Sequence, residues 1–144
     1  MRIAIIGTGN VGSALGRGWA RAGHDVWFGA RDPGKPELAR LVQEAGPRAR
    51  AAAVAAAAAS GEVVVLATPW GAAREAIELA GDLAGKVLID CTNPLAAGLS
   101  GLVVGHTTSA REQVAAWARG ARVVKAFNTT GAGNMRNPGT AGRR

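Results

Sequence analysis

Cysteine, histidine and aromatic side chains are scarce in this chain of 144 residues, which has one Cys, two His, four Trp, two Phe and no Tyr. The single cysteine, Cys91, excludes an internal disulfide framework and is compatible with a reducing cytoplasm, where we expect the protein. Because His24, His106 and Cys91 lie far apart in sequence, no metal site is expected. With so few aromatics and so much alanine, we expect a thin core in which helices lie close to a sheet.

Long hydrophobic runs are also missing. No apolar run approaches the length of a membrane span, and no charged-then-apolar leader precedes the first apolar segment, so we expect neither membrane association nor a signal peptide. The net charge is +7, from 17 Lys and Arg against 10 Asp and Glu. The basic residues stand as singles, without a basic helix or a patch interleaved with aromatics, which argues against nucleic acid as a partner. A positive field also suits a small, phosphate-rich ligand.

The first dozen residues carry the most informative motif. An apolar run ends in Gly7-Thr8-Gly9-Asn10-Val11-Gly12, and a helical pattern follows at once. In a turn of the form GxGxxG, the first glycine permits the tight turn, the second lets the backbone approach a pyrophosphate, and the third lets the helix pack on the strand. The first N–H groups of the helix, with the positive end of its dipole, then face the phosphates. Strand, turn and helix in this order predict dinucleotide binding.

Strand-like and helical segments alternate along the rest of the chain. Strands are expected near residues 2–6, 26–29, 49–53, 62–67, 86–90 and 122–127, and helices near 10–22, 36–45, 54–59 and 71–83 and from 109 onward. Between 48 and 60 the assignments rest on spacing, because alanines do not decide between strand and helix. The alternation predicts an α/β fold with a doubly wound parallel sheet (Rossmann), and the glycine turn favours strand order 3-2-1-4-5-6. Residues 1–130 would form the dinucleotide-binding domain, with 131–144 as a loop or tail.

The end of the second strand bears on the choice of dinucleotide. NAD-binding domains normally have an Asp or Glu there, which accepts from the adenosine ribose hydroxyls. Here Gly29-Ala30 leaves room for a 2′-phosphate, and Arg31 supplies a forked donor for it, with Lys35 as a second positive charge. This pattern favours NADP over NAD. Two alternatives stay open: Arg31 and Lys35 are solvated loop charges, or Asp32 is the ribose acceptor.

Five short motifs are spread over nearly the whole chain: IIGTGNVG at 5–12, GAR at 29–31, ATPW at 67–70, DCTNPL at 90–95 and VKAFNTT at 124–130. The first is shared by many dinucleotide-binding proteins, but the set in this order is more specific. Together they make the chain resemble the NADP oxidoreductases that work with the deazaflavin coenzyme F420, the NADPH:F420 reductase family.

The resemblance implies NADP(H) as cofactor, F420 as a small-molecule redox co-substrate, and hydride transfer between them. In that family the 2′-phosphate sits on the step that matches Ala30 and Arg31, and the nicotinamide end lies by the turn that matches Pro69 and Trp70. The candidate cofactor-binding residues are therefore Gly7, Thr8, Gly9, Asn10, Val11, Gly12, Ala30, Arg31, Lys35, Ala67, Thr68, Pro69, Trp70, Asn93, Ala126 and Asn128. An equally good interpretation of Trp70 is an aromatic that packs the start of its helix. No catalytic side chain is assigned, because the cofactors carry the chemistry.

Members of the family continue beyond the sixth strand with elements that build a dimer and help enclose the deazaflavin. We therefore expect that this chain lacks that part, and a homodimer stays open. Two alternative functions also stay open: a non-catalytic NADP-binding module, and the cofactor domain of another NADP-dependent dehydrogenase or reductase. Cys91, with no histidine near it in sequence, is expected to be a small buried apolar residue rather than a nucleophile.

Overall fold

A single sheet of six parallel strands forms the centre of the molecule, in a computed structural model that describes residues 1–92 and 110–126. Its order is β3-β2-β1-β4-β5-β6. The strands are β1 (Arg2–Ile6), β2 (Asp25–Ala30), β3 (Ala49–Ala53), β4 (Val63–Leu66), β5 (Val87–Asp90) and β6 (Arg122–Lys125). The helices are α1 (Asn10–Arg21), α2 (Pro36–Ala45), α3 (Val54–Ser60), α4 (Trp70–Ala80) and α5 (Ala110–Trp117). The predicted doubly wound sheet and its strand order are confirmed.

Two apolar layers cover the sheet, one on each face. Along β1 the side chains alternate between them, as the two-residue period of a strand requires. Ile3 and Ile5 pack into the layer that α1 and α2 complete, and Ala4 and Ile6 pack into the layer of α3, α4 and α5. Because both faces of the central strands are buried, those strands are apolar throughout, which is typical of a parallel sheet.

Small residues let the first helix lie close to the sheet. Ala14 and Gly16 of α1 are both buried, and a Cβ atom on Gly16 would overlap the ring of Phe28 in β2. The ring therefore occupies the space that a side chain on the helix would need. This close approach agrees with the thin core that the shortage of aromatics predicts.

Helix α4 differs from the sequence expectation at both ends. It begins at Trp70 rather than at residue 71, and it ends at Ala80 rather than near residue 83. Gly81 follows with a φ of +82°, a left-handed conformation that glycine adopts readily and that terminates helices. Leu83 is nevertheless buried, so its apolar character serves the core from the loop after the helix.

The sixth strand was expected to reach residue 127, and it extends to Lys125 in the residues that the structure describes. Residues 93–109 and 127–144 lie outside that set. Within the set, no helix is long and apolar enough to cross a membrane.

Candidate functional site

A cleft of about 290 Å³ opens at the carboxyl ends of β1, β2 and β4. This is the edge of an open α/β sheet where ligands bind, at the point where the strand order reverses. The cleft is lined by Ile6, Gly7, Thr8, Gly29, Ala30, Arg31, Asp32, Lys35, Glu37, Leu38, Val54, Thr68, Ala72, Ala76 and Leu79. Six of the predicted site residues are among them: Gly7, Thr8, Ala30, Arg31, Lys35 and Thr68.

The glycine turn joins β1 to α1 with almost no spare space. Gly7 has a φ of +107°, and a Cβ atom there would lie 2.6 Å from the carbonyl oxygen of Ala67. A Cβ atom on Gly12 would overlap the carbonyl oxygen of Gly7. Both positions therefore require glycine on steric grounds, the first also because of its backbone conformation. The roles predicted for the first and third glycines, the tight turn and the close packing of helix on strand, agree with this geometry.

Gly9 stands in open space at the start of α1. A Cβ atom there would meet no atom of residues 1–92 or 110–126 within 4 Å. No side chain of this part of the chain caps the helix, and its first turn contains no acidic residue. Ser13 donates its N–H to the carbonyl of Gly9 and its hydroxyl to the carbonyl of Thr8, both at 2.9 Å, which fixes the turn. Because the first N–H groups of a helix have no partner within it, this geometry fits a phosphate group.

Thr68 contributes a polar atom that lacks a partner. Its Oγ1 is buried and makes no hydrogen bond to any described residue, although the residue lines the cleft. A buried hydroxyl without a partner costs about 1–3 kcal/mol. A ligand or a water molecule in the cleft would satisfy it, so the site is chemically suited to a ligand with polar groups on this wall.

Arg31, at the end of β2, makes an ion pair with Glu75 of α4. The side chains are 63% and 57% exposed, so this pair bridges two elements at the rim of the cleft rather than in its interior. Asp32 is partly engaged within its own loop, where its Oδ1 accepts from the N–H of Gly34 at 3.1 Å. Glu75 contacts the guanidinium of Arg31 directly. Arg31 therefore has a partner within the protein that neither of the two alternatives for this loop included.

The turn after β4 brings Thr68, but not Trp70, to this cleft. Trp70 opens α4, is partly buried, and lies 5.4 Å from Trp117 of α5 between ring centroids, with the rings tilted by 36°. Both rings pack against the apolar layer of α3, α4 and α5. This supports the structural interpretation of Trp70, which was one of its two predicted roles. Asn93 and Asn128 lie outside the described residues.

Asp90, Thr92 and Lys125 form a buried polar network at the carboxyl ends of β5 and β6. Asp90 is fully buried, and its Oδ1 accepts from the N–H of Thr92 at 2.8 Å and from its hydroxyl at 2.5 Å. Lys125 pairs with the other oxygen of Asp90 at 3.3 Å and also donates to the carbonyl of Thr92. This pair was not predicted from the sequence. The sequence does contain a signal for it, because Asp90 and Lys125 lie at or near the ends of the fifth and sixth predicted strands. The carboxyl ends of neighbouring parallel strands meet at one edge of the sheet.

Cys91 follows this network and is buried in the layer of α1 and α2. Burial, with the nearby charge of Asp90 as a smaller cause, raises the pKa of its thiol from 9.0 to about 12. The thiol is therefore protonated at neutral pH and cannot act as a nucleophile, since the thiolate is the reactive form. This agrees with the prediction that Cys91 is a buried apolar residue.

Cys91 is expected to react with an aromatic disulfide reagent at pH 8 about a hundredfold or more slowly in the folded chain than in guanidinium chloride, because its pKa is raised and access is blocked. It is the single cysteine, so release of the reagent's chromophore reports it alone. As the folded pKa exceeds the unfolded one, stability should fall between pH 9 and about 12, and less so in Cys91→Ala. Fast modification of the folded chain would contradict the assignment.

One wall of the cleft is formed by residues that were not predicted from the sequence. Ala72, Ala76 and Leu79 lie along one face of α4 and line the cleft, and Leu79 is 42% exposed. The clue was a second apolar stripe on this helix, beside the stripe of Ala73, Ile77 and Ala80 in the core; Ala76 lies between the two and also packs in the core. A helix with two adjacent apolar stripes has more apolar surface than the core alone needs.

Comparison with known proteins decides the family. Residues 2–94 match the family model described as NADP oxidoreductase coenzyme F420-dependent. The chain belongs to this family. The matched segment contains the glycine turn, the Arg31 loop and Thr68, so the cleft lies within the part of the chain that the family model covers.

Three known proteins are similar to this chain in sequence or in fold. The F420-dependent NADP reductase of Methanothermobacter thermautotrophicus is 37% identical over 145 residues, covering 92% of this chain and 62% of that protein. A crystal structure from Arthrobacter sp., with a provisional assignment as an F420-dependent NADP reductase, has a TM-score of 0.87 at 37% identity and covers 96% of this chain and 68% of its own. An imine reductase from Myxococcus stipitatus in complex with NADP⁺ has a TM-score of 0.61 at 25% identity, covering 87% and 40%.

The chain spans about 62% of the length of the curated F420-dependent NADP reductase that it matches. Within residues 1–92 and 110–126, no group of three or more His, Cys, Asp or Glu side chains is placed to hold a metal ion.

Proposed function

We propose that this chain binds NADP(H) and takes part in hydride transfer between NADPH and the deazaflavin F420. The observation that carries the proposal is the cleft beside the glycine turn, in a chain of the F420-dependent NADP oxidoreductase family. Among the described residues, the turn offers open space at Gly9 and an uncapped helix start, and the Thr68 hydroxyl has no hydrogen-bond partner. These groups suit the phosphates and sugar hydroxyls of a dinucleotide.

The proposed binding residues fall into three groups along the cofactor. Gly7–Gly12 would hold the pyrophosphate at the start of α1. Ala30, Arg31 and Lys35 would receive the adenosine 2′-phosphate, because Ala30 leaves room for it and the two cations neutralise it. The nicotinamide end would lie towards Ala67–Trp70 and Ala126, with Asn93 and Asn128 assigned from the resemblance. Residues 1–130 would form this binding unit.

The residues of this chain would act by binding and orientation. The nicotinamide and the deazaflavin supply the hydride chemistry when both are bound. The turn would fix the pyrophosphate in the middle of the cofactor and the Arg31 loop would fix its 2′-phosphate, which restricts where the nicotinamide can lie. No side chain is assigned a nucleophilic role or a proton transfer, in keeping with the protonated, buried thiol of Cys91.

A second candidate function is the cofactor domain of a different NADP-dependent reductase, and a third is an NADP-binding module without catalysis. The fold shared with an imine reductase at 25% identity favours the former. The partial coverage of the curated relative is compatible with either. A homodimer is also proposed from the resemblance, and a cytoplasmic location from the single cysteine.

The chain is expected to bleach the deazaflavin absorbance of F420 when NADPH is added, and to do so at least about tenfold more slowly with NADH, because a charged contact to the 2′-phosphate has roughly that effect on binding. The measurement is a stopped-flow absorbance trace, with NADPH binding followed separately by fluorescence. NADPH binding without bleaching would exclude F420 reduction by this chain. An NADP-binding module without catalysis would then remain as its function. If the chain bound neither NADPH nor NADH, the proposal would be excluded altogether.

A further inference from the structure

Arg31 lines two clefts, and its ion-pair partner Glu75 lines the second of them. The first is the candidate cofactor cleft, and the second is a space of about 290 Å³ with Ala53, Val54 and Ala55 in its wall. Ala30, Arg31, Val54 and Leu79 line both clefts. The carboxylate of Glu75 therefore meets the guanidinium at the place where the 2′-phosphate is proposed to bind.

Glu75 and a 2′-phosphate would compete for the same donors. A guanidinium presents its N–H groups as a planar fork that matches either a carboxylate or a phosphate. An exposed ion pair is weak, so a phosphate carrying more negative charge can displace the carboxylate. After displacement the carboxylate stays tethered nearby on α4 and repels the phosphate, because like charges a few ångströms apart disfavour each other.

Other carboxylates near the cleft are placed differently. Asp32 and Glu37 line the cofactor cleft, whereas Glu75 lines the second one, but no ion pair of Asp32 or Glu37 with Arg31 is formed among the described residues. Asp32 is held in its own loop by the N–H of Gly34. Glu75 is thus the acidic side chain in direct contact with the guanidinium.

We propose that Glu75 is a specificity-determining residue that holds Arg31 until the 2′-phosphate of NADP(H) displaces it. Glu75 then lowers the affinity for NADP(H) and leaves the affinity for NAD(H) unchanged, which narrows the preference between the two cofactors. The inference rests on the proposed function, since it requires that the cleft binds the adenosine end of a dinucleotide.

The test compares Glu75→Gln with Glu78→Gln in the full chain. Glu78 lies on the same helix, is 64% exposed and pairs with Arg74 at 3.2 Å, so this control removes the same charge without touching Arg31. Dissociation constants for NADP⁺ and NAD⁺ are measured by isothermal titration calorimetry. Glu75→Gln should bind NADP⁺ about two- to fivefold more tightly, with no change for NAD⁺, and Glu78→Gln should match the parent. The gain should shrink in about 0.5 M salt, which screens exposed charges.

The possible outcomes separate this inference from the proposed function. If the parent chain binds NADP⁺ preferentially and Glu75→Gln leaves its affinity unchanged or weaker, Glu75 does not compete, and only this inference fails. Weaker NAD⁺ binding by Glu75→Gln would mean that Glu75 accepts from the ribose hydroxyls instead. An equal gain in Glu78→Gln would assign the effect to overall charge. A parent chain that binds neither nucleotide overturns both proposals.

Discussion

Replacing Lys125 with methionine is expected to lower the free energy of unfolding by about 3–5 kcal/mol, the usual cost of removing one partner from a buried ion pair. Asp90 is fully buried, and Lys125 lies 3.3 Å from its Oδ2 with 24% of its own side chain exposed. Methionine fills similar space without charge, so the carboxylate would lose its counter-ion while remaining out of water. The two hydrogen bonds from Thr92 would remain and would not replace the lost charge.

Urea unfolding of two further variants isolates this cause. Arg122→Met removes a positive charge from an exposed position on the same strand and should change the free energy of unfolding by less than about 0.5 kcal/mol. The double variant Asp90→Asn, Lys125→Met removes both charges and should be more stable than Lys125→Met alone, because no unpaired charge stays buried. If the single and double variants were equally destabilised, lost packing rather than the stranded carboxylate would explain the result.

Arg31→Ala is expected to weaken the binding of NADP⁺ by about 10- to 100-fold and that of NAD⁺ by about twofold at most. Hydrogen bonds to charged groups contribute about 1.5–3 kcal/mol, which corresponds to that range of affinity. NAD⁺ lacks the 2′-phosphate and would lose only contacts with the side-chain stem. Calorimetric titration of both nucleotides measures the difference directly.

Arg74→Ala is the matched control for this variant. Arg74 is a 70% exposed arginine on α4 that pairs with Glu78, and it does not line the cofactor cleft. Its removal should leave both affinities within about twofold. Equal losses for NADP⁺ and NAD⁺ in Arg31→Ala would show that Arg31 does not contact the 2′-phosphate. In the Arg31→Ala background, Glu75→Gln should lose most of its effect, since the two substitutions act on one contact.

The local parts of the site were predictable because their chemistry is contained within a few consecutive residues. Gly7 is required by the tight turn, and Gly12 by a close contact within the same strand–turn–helix unit. The GxGxxG spacing predicts both. The sheet order followed from the same turn together with the handedness of parallel connections. The assignment of individual residues to the cofactor stays a prediction, which the binding experiments address.

In the alanine-rich segment the spacing predicts a strand near residues 49–53 and a helix near 54–59, and the structure confirms both, with a strand at Ala49–Ala53 and a helix at Val54–Ser60. Side-chain type does not distinguish the two, so what stabilises them comes from elsewhere in the fold. Val54 and Ala57 of this helix are buried, and Lys86, just before β5, donates to the carbonyls of Ala58 and Gly61 at its end. A seven-residue helix is too short to be stable alone, so packing and this distant lysine stabilise it.

By itself, the sequence determined the doubly wound sheet and the glycine turn, because alternation of apolar segments and glycine spacing are local properties, and the resemblance carried by five motifs in order indicated the family. Only the tertiary structure decided which charges meet. Arg31 contacts Glu75 because the loop after β2 and the face of α4 converge at one rim, and Asp90 contacts Lys125 because β5 and β6 pair in that register. Such contacts depend on side-chain direction between segments far apart in sequence, and no pattern within either segment specifies it.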